Sequence, residues 1–307
     1  VYFSAIYKCS ERFPLTVTGV TEQIGTASQN RVMPTTTSSS TTRPPLGALA
    51  TAKVCKQPGH WVLASLGKKV LRPGGLELTT KLLEKLQPSP ADHVVEFAPG
   101  LGVTARLTLA KNPRRYVGIE REAAMMQHLQ HGLGSDRALF VNASAESTGL
   151  PNESATLVYG EAMLSMQTPE QKVRILREAY LVLKPGGRYG IHELALLPDD
   201  IDDATRKAIE REMSLNIHVG VRPVTLREWR QLLECSGFEV EWETRAPTHL
   251  LEPKRVLRDE GILGLLRIAF NLLRKPEARK RVLSMKRMFR RHANDLSAVA
   301  IVCRKPL

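Results

Sequence analysis

Residues 94–102 read Val94-Val95-Glu96-Phe97-Ala98-Pro99-Gly100-Leu101-Gly102. Two β-branched residues run into an acid and then into a tight turn. Val103-Thr104-Ala105-Arg106-Leu107 opens a helical pattern directly afterwards. A strand that ends in a glycine-bearing turn and feeds a helix brings bare backbone close to a ligand. Beyond the turn comes a second strand, Tyr116-Val117-Gly118-Ile119, ending in Glu120. An acid at that tip suits a ribose diol, because a carboxylate accepts from both hydroxyls.

The turn departs from a dinucleotide fingerprint, Gly-x-Gly-x-x-Gly. Ala98 stands at the first glycine position and there is no third glycine. Glu96 in the turn region has the wrong sign for a pyrophosphate. It tolerates a cofactor that is cationic or carries an amine, which favours S-adenosylmethionine (SAM) over NAD. An ordinary strand-loop-helix connection in some other α/β protein is the alternative.

The rest of the chain extends an α/β alternation. Strands are expected at 93–97, 116–119, 138–141, 155–159, 187–193, 238–243 and 297–303. Helices are expected at about 103–110, 122–131, 169–182, 199–214 and 225–235. Ahead of them, Gly59 to Lys69 and Leu76 to Leu86 read as helices separated by Pro73-Gly74-Gly75. Lys184-Pro185-Gly186-Gly187 is a sharp helix-to-strand turn. The fold class is therefore a Rossmann-like, seven-stranded doubly wound sheet with a helical insertion before the last strand.

From about Trp61 to the end the chain resembles a class I SAM-dependent methyltransferase. Within that superfamily it is similar to the small-molecule enzymes that include the ubiquinone and menaquinone C-methyltransferases. Glu96-Phe97-Ala98-Pro99-Gly100-Leu101-Gly102 matches the first motif, and Gly118-Ile119-Glu120 the second. Leu181-Val182-Leu183-Lys184-Pro185-Gly186-Gly187-Arg188, the entry to the fifth strand, is the most specific match.

The resemblance implies roles for individual residues. Glu96 lies under the methionine end of SAM, and Ala98, Pro99, Gly100, Leu101 and Gly102 give backbone contacts. Glu120 takes the ribose hydroxyls; Arg121 flanks the adenine or lies on the helix surface, and Met125 flanks it or lies in the core. Ser144 stands where the family commonly has an aspartate for the adenine amine, so Ala145 and Glu146 become further candidates. Tyr159-Gly160-Glu161 ends the fourth strand, facing both methionine and acceptor. Glu161 reads as a base or as an acid that favours a helix N-terminus. His192 and Glu193 end the fifth strand. Only one of them faces the pocket by period-2 alternation, and His192 is a base or a structural histidine. No metal cluster is expected.

Composition bounds the partners. Cys9, Cys55, Cys235 and Cys303 are far apart with no CxxC pair, which fits a reducing compartment, taken as the cytoplasm. No basic start with an apolar core marks a secretory signal. Residues 1–52 are a low-complexity tail, with Pro34 to Pro45 rich in Ser and Thr. It reads as a tail or extended reading frame ahead of Met33, or as an organelle transit peptide. The methyltransferase domain is expected over 53–307.

The net charge of +13 is concentrated late: Pro253 to Lys305 holds fifteen Lys and Arg against four Asp and Glu. Within a basic insertion at about 250–295, Ala278, Val282, Met285, Phe289 and Ala293 form one apolar stripe opposite seven cations. Three readings compete: a helical lid with a solvated basic face, a cap in peripheral contact with anionic membrane, and a phosphate-binding surface for nucleic acid. Nucleic acid is disfavoured, because the Asn/Asp-Pro-Pro-aromatic and Pro-Cys motifs are missing. The lid is expected to run from Ile262 to Ala293, with Phe289, Met285 or Leu266 turned inward. The expected activity is methyl transfer from SAM to a small, apolar organic acceptor. An RNA methyltransferase and a non-catalytic SAM-binding protein are the rivals; oligomeric state is not legible.

Overall fold

A computed structural model describes residues 57–307; the expected tail and the boundary at 53 lie outside the described residues. Two helices lead in, α1 (Gly59–Ser65) and α2 (Gly75–Leu86). The alternation follows as β1 (His93–Phe97), α3 (Val103–Leu109), β2 (Arg115–Glu120), α4 (Ala123–Leu133), β3 (Ala138–Asn142) and β4 (Ala155–Glu161). It continues with α5 (Pro169–Val182), β5 (Leu183–Leu196), α6 (Asp203–Ile217), β6 (Val224–Thr225) and α7 (Leu226–Cys235). The last elements are β7 (Glu239–Pro247), α8 (Pro253–Arg274), α9 (Pro276–Arg291) and β8 (Leu296–Arg304).

The sheet runs β3-β2-β1-β4-β5-β8-β7. Strands β1 to β5 pair in parallel, and β8 is antiparallel to both β5 and β7. The expected seven strands are joined by an eighth, the two-residue β6, which pairs with the end of β5. So short a piece carries no periodicity for a sequence to display.

Alternation along the strands builds two cores. On β8, Val299, Ile301 and Cys303 pack on one face with Tyr189, Ile191 and Trp229. Ala298, Ala300 and Val302 pack on the other with Leu78, Leu82 and Tyr159. That period of two is what a strand buried on both faces requires. Helix starts are set by side chains. Thr168 and Gln171 form a reciprocal cap on α5, and Thr225 and Glu228 do the same for α7. Asp202 caps α6 through Thr205, so that helix starts later than the apolar pattern implies.

The insertion is two helices with different surroundings. Helix α9 packs on α1 and α6, burying Ala278, Val282, Met285 and Met288. Helix α8 breaks at Gly261, whose φ of 70° is left-handed. Its second half buries Ile268 but leaves Leu266 60% exposed, so Leu266 does not turn inward as expected. An apolar helix pattern shows that a face exists; it does not show which face meets the core.

Candidate active site

The switch point of the sheet lies between β1 and β4, where strand order reverses. A cavity of about 600 Å³ opens there at the carboxyl ends of the strands. Ala98, Pro99, Gly100 and Leu101 line it from the β1 turn, and Glu120 and Arg121 from the tip of β2. Ser144, Ala145 and Glu146 follow β3, Glu161 ends β4, and Glu193 lies late in β5, which ends at Leu196. The chain thus brings together most of the residues singled out in its sequence.

Glu120 is fixed by backbone. One carboxylate oxygen accepts from Gly100 N–H at 3.3 Å and the other from Glu122 N–H at 3.1 Å. Burial raises its pKa, with the N–H groups of Glu122 and Gly100 acting against that rise. Asn142 ties the tips of β2 and β3 together by donating to the Glu120 and Arg121 carbonyls. The Ser144 hydroxyl accepts from Glu146 N–H at 3.2 Å, so it shapes the turn after β3. The Glu146 carboxylate also pairs with Gln171 and Arg174.

Ala98 and Gly100 both adopt left-handed backbone, at φ 53° and 55°. A Cβ built on Gly100 meets nothing closer than 3.9 Å, so open space lies over this turn. Ala98 takes the same conformation with a methyl group, at the position where a dinucleotide fingerprint would have its first glycine.

Four expected residues do not reach the cavity. Glu96 lies within β1 and is buried, where it accepts hydrogen bonds from the Tyr116 and Tyr159 hydroxyls. Burial pushes its pKa up to about 7, the tyrosines pulling against that and the nearby Glu161 charge adding to it. Gly102 caps α3, and a Cβ there would come within 2.8 Å of Leu129. Gly160 packs against Phe97 and Met163. His192 is fully buried: Nε2 donates to the Pro73 carbonyl at 2.5 Å, and Nδ1 sits 2.8 Å from Glu161 Oε1. The alternative for Met125 resolves to core, where it joins Leu129 and Phe140.

The two acids that β4 and β5 bring to the cavity wall, Glu161 and Glu193, are fully engaged. Glu161 accepts from Thr79 at 2.6 Å and from Thr104, and it pairs with Arg72 at 3.3 Å. Burial alone would raise its pKa, but Arg72, His192 and Thr104 outweigh that and hold it at about 2. Glu193 accepts the N–H groups of Met163, Leu164 and Ser165 and the Ser165 hydroxyl. It braces the short helical turn Leu164–Met166 that follows β4.

Two lining residues carry no motif and escape a sequence reading. Arg72 is 9% exposed, faces the cavity, and has Nε and Nη2 without a hydrogen-bond partner. With Nη1 already paired to Glu161, a second carboxylate is the group that would satisfy two such donors. His60 lines the far end, where burial lowers its pKa to about 4. That far end is otherwise apolar, walled by Leu63, Leu71, Met213, Ile217, Met285 and Phe289.

Known proteins place this geometry. The sequence pattern described as "Methyltransferase domain" matches residues 94–187. An uncharacterized protein of Haemophilus influenzae is 32% identical over 252 residues, covering 80% of this chain and 98% of that protein. An uncharacterized methyltransferase of Synechocystis is 29% identical over 136 residues, covering 44% of this chain and 63% of that protein. Among solved structures, the [4+2]-cyclase SpnF superposes with a TM-score of 0.61 at 18% identity, over 80% of this chain and 93% of its own. A phosphoethanolamine N-methyltransferase of Haemonchus contortus, solved with S-adenosylhomocysteine, gives 0.62 at 14% identity, over 81% of this chain and 57% of its own. The matched pattern runs through the β1 turn and the tips of β2, β3 and β4 that line the cavity, and the chain belongs to the class I SAM-dependent methyltransferases, enzymes whose cofactor is S-adenosylmethionine.

Proposed function

We propose that this enzyme methylates a small, predominantly apolar organic acceptor. One observation carries the reading: the cavity is polar where the strands end and apolar where α1, α6 and α9 close it. The polar half fits the cofactor. We assign the ribose hydroxyls to Glu120, and the adenine to the segment of Arg121, Ser144, Ala145 and Glu146. The backbone of Ala98 to Leu101 runs beneath the cofactor, and the free Arg72 donors take the methionine carboxylate. Glu96, Gly102 and Gly160 support this turn from below rather than touching the ligand.

SAM, when bound, supplies a methyl group already activated on a sulfonium sulfur. The chain's part is then alignment and exclusion of water. Glu161, His192 and Glu193 are each committed to partners in the fold, and His192 does not line the cavity. We assign them to holding the cavity wall, with Glu161 setting the position of Arg72. His60, kept neutral by burial, is the group we place against the acceptor to orient it by a hydrogen bond.

Incubation with methyl-labelled SAM and a cell extract, followed by untargeted metabolite profiling, tests the reading. Label should appear in small molecules that partition into organic solvent. Label confined to RNA, or SAM binding with no transfer at all, would overturn it. Arg72→Met should weaken SAM binding by about 10- to 100-fold, the range for losing a charged hydrogen bond. Unchanged SAM affinity in that variant would free Arg72 for an acidic group on the acceptor instead.

A further inference from the structure

The second half of α8 carries a surface that the cavity does not use. Ile262, Leu263, Leu266, Phe270 and Leu273 are 66%, 76%, 60%, 55% and 71% exposed. At 3.6 residues per turn these five side chains fall within an arc of about 100°. The opposite arc holds the segment to the domain through buried Ile268 and through Asn271, which donates to the Leu66 carbonyl. A contiguous apolar row of this kind on a folded domain marks an interaction surface.

The charges around the row select its partner. From Ile262 to Lys275 there is no acid, and there are three cations, Arg267, Arg274 and Lys275. The Arg274 guanidinium lies 5.3 Å from the centre of the Phe270 ring, over the row itself. The acids that precede it on α8 turn inward: Asp259 accepts from Leu76 N–H, and Glu260 accepts from Lys69 and Val70 N–H. On neighbouring α9, Arg279 and Arg287 are exposed and pair with no acid among the described residues. Thirteen helical residues span only about 20 Å, short of a bilayer's hydrocarbon core of about 30 Å. No helix among the described residues is long and apolar enough to cross a membrane. An apolar face flanked by cations on a short helix fits the interface plane of an anionic bilayer.

We propose that this face of α8 docks the enzyme on an anionic membrane surface. Ile262, Leu263, Leu266, Phe270 and Leu273 enter the headgroup boundary, and Arg267 and Arg274 meet lipid phosphates. The inference is independent of the methyl acceptor, because it concerns where the enzyme sits.

The test is co-sedimentation of the full chain with vesicles. One set is pure phosphatidylcholine, and the other contains about a third phosphatidylglycerol. Binding should favour the anionic vesicles and weaken as salt rises from about 0.05 to 0.5 M. Leu266→Ser with Phe270→Ser should lower partitioning at least about tenfold, and Arg267→Glu with Arg274→Glu should abolish the preference for anionic lipid. SAM affinity and melting temperature should hold, because these side chains are exposed. Should the double serine variant fail to fold, Leu263→Gln at the most exposed position of the row serves in its place. Equal binding to both vesicle types, no binding, or wild-type binding by the apolar-row variant would overturn the proposal. So would a stable dimer that the apolar-row variant dissociates and that does not bind vesicles, since the face would then belong to a second copy.

Discussion

His192 Nδ1 lies 2.8 Å from Glu161 Oε1, and the ring's other nitrogen is spent on the Pro73 carbonyl at 2.5 Å. The pair joins β5 to the end of β4 and, through Pro73, to the loop that carries Arg72. Both residues look chemical in the sequence, but their partners are one another and the fold.

Replacing Glu161 with Gln should therefore damage stability first. It leaves Arg72 without its carboxylate in a buried setting, where removing one ion-pair partner costs about 3–5 kcal/mol. Urea denaturation at neutral pH reads this directly. The sign with pH follows from a folded pKa near 2 against an ordinary 4.5. The contribution is present above pH 4.5 and is lost as pH falls toward 2. A variant as stable as the wild type would show that the pair is not structural.

Glu96 should act in the opposite direction. Its folded pKa of about 7 exceeds the ordinary 4.5, so the folded state holds the extra proton between those values. Its contribution is intact below pH 4.5 and disappears as pH rises through about 7. Glu96→Gln should remove that slope and make the protein relatively more stable at pH 8 than at pH 5. Thermal melts of both proteins across that window check it; parallel curves would count against a buried proton at Glu96.

Glu120→Ala should weaken SAM binding by about 1.5–3 kcal/mol, the loss expected for a hydrogen bond to a charged group. Isothermal calorimetry with SAM is the measurement. Unchanged affinity would remove Glu120 from the cofactor site.

Ala98→Gly should stabilise the chain slightly. A left-handed residue other than glycine costs about 1–2 kcal/mol, partly offset by the greater freedom of glycine in the unfolded chain. The net gain should be about 1 kcal/mol or less, read as a shift in denaturation midpoint. A clear loss would mean that the Ala98 methyl is needed against the core.

Much of this architecture is written locally. Helix α5 is readable to the residue because Thr168, Pro169 and Gln171 announce its start and Lys184-Pro185-Gly186-Gly187 follows its end. The β1 turn and Glu120 are legible because a strand, a turn and a second strand tip recur at short spacing. Arg72 and His60 are not legible, since nothing in a loop arginine or a helix histidine marks it as buried. Their role is set by α6, α9 and the strand ends arriving from far along the chain. His192 misleads for the same reason: alternation separates it from Glu193, but only the packing of Pro73 and Thr79 shows that its side of the sheet is closed. The outward face of α8 is likewise undetermined by an apolar pattern that would suit either side.

The inward turn of Asp259 and Glu260 has a consequence for how this enzyme could have acquired its insertion. Between them they accept the backbone N–H groups of Lys69, Val70 and Leu76, and both lie within 4 Å of the buried Lys68 ammonium, at 3.8 and 3.6 Å. The segment they hold, from Lys68 to Leu76, includes Arg72. Excising the insertion would strip three amide donors of their acceptors and one ammonium of its counter-charges at a stroke. The helices before the last strand are thus no ornament on a finished domain: a relative without them must hold this stretch of chain, and whatever Arg72 binds, by some other set of acceptors.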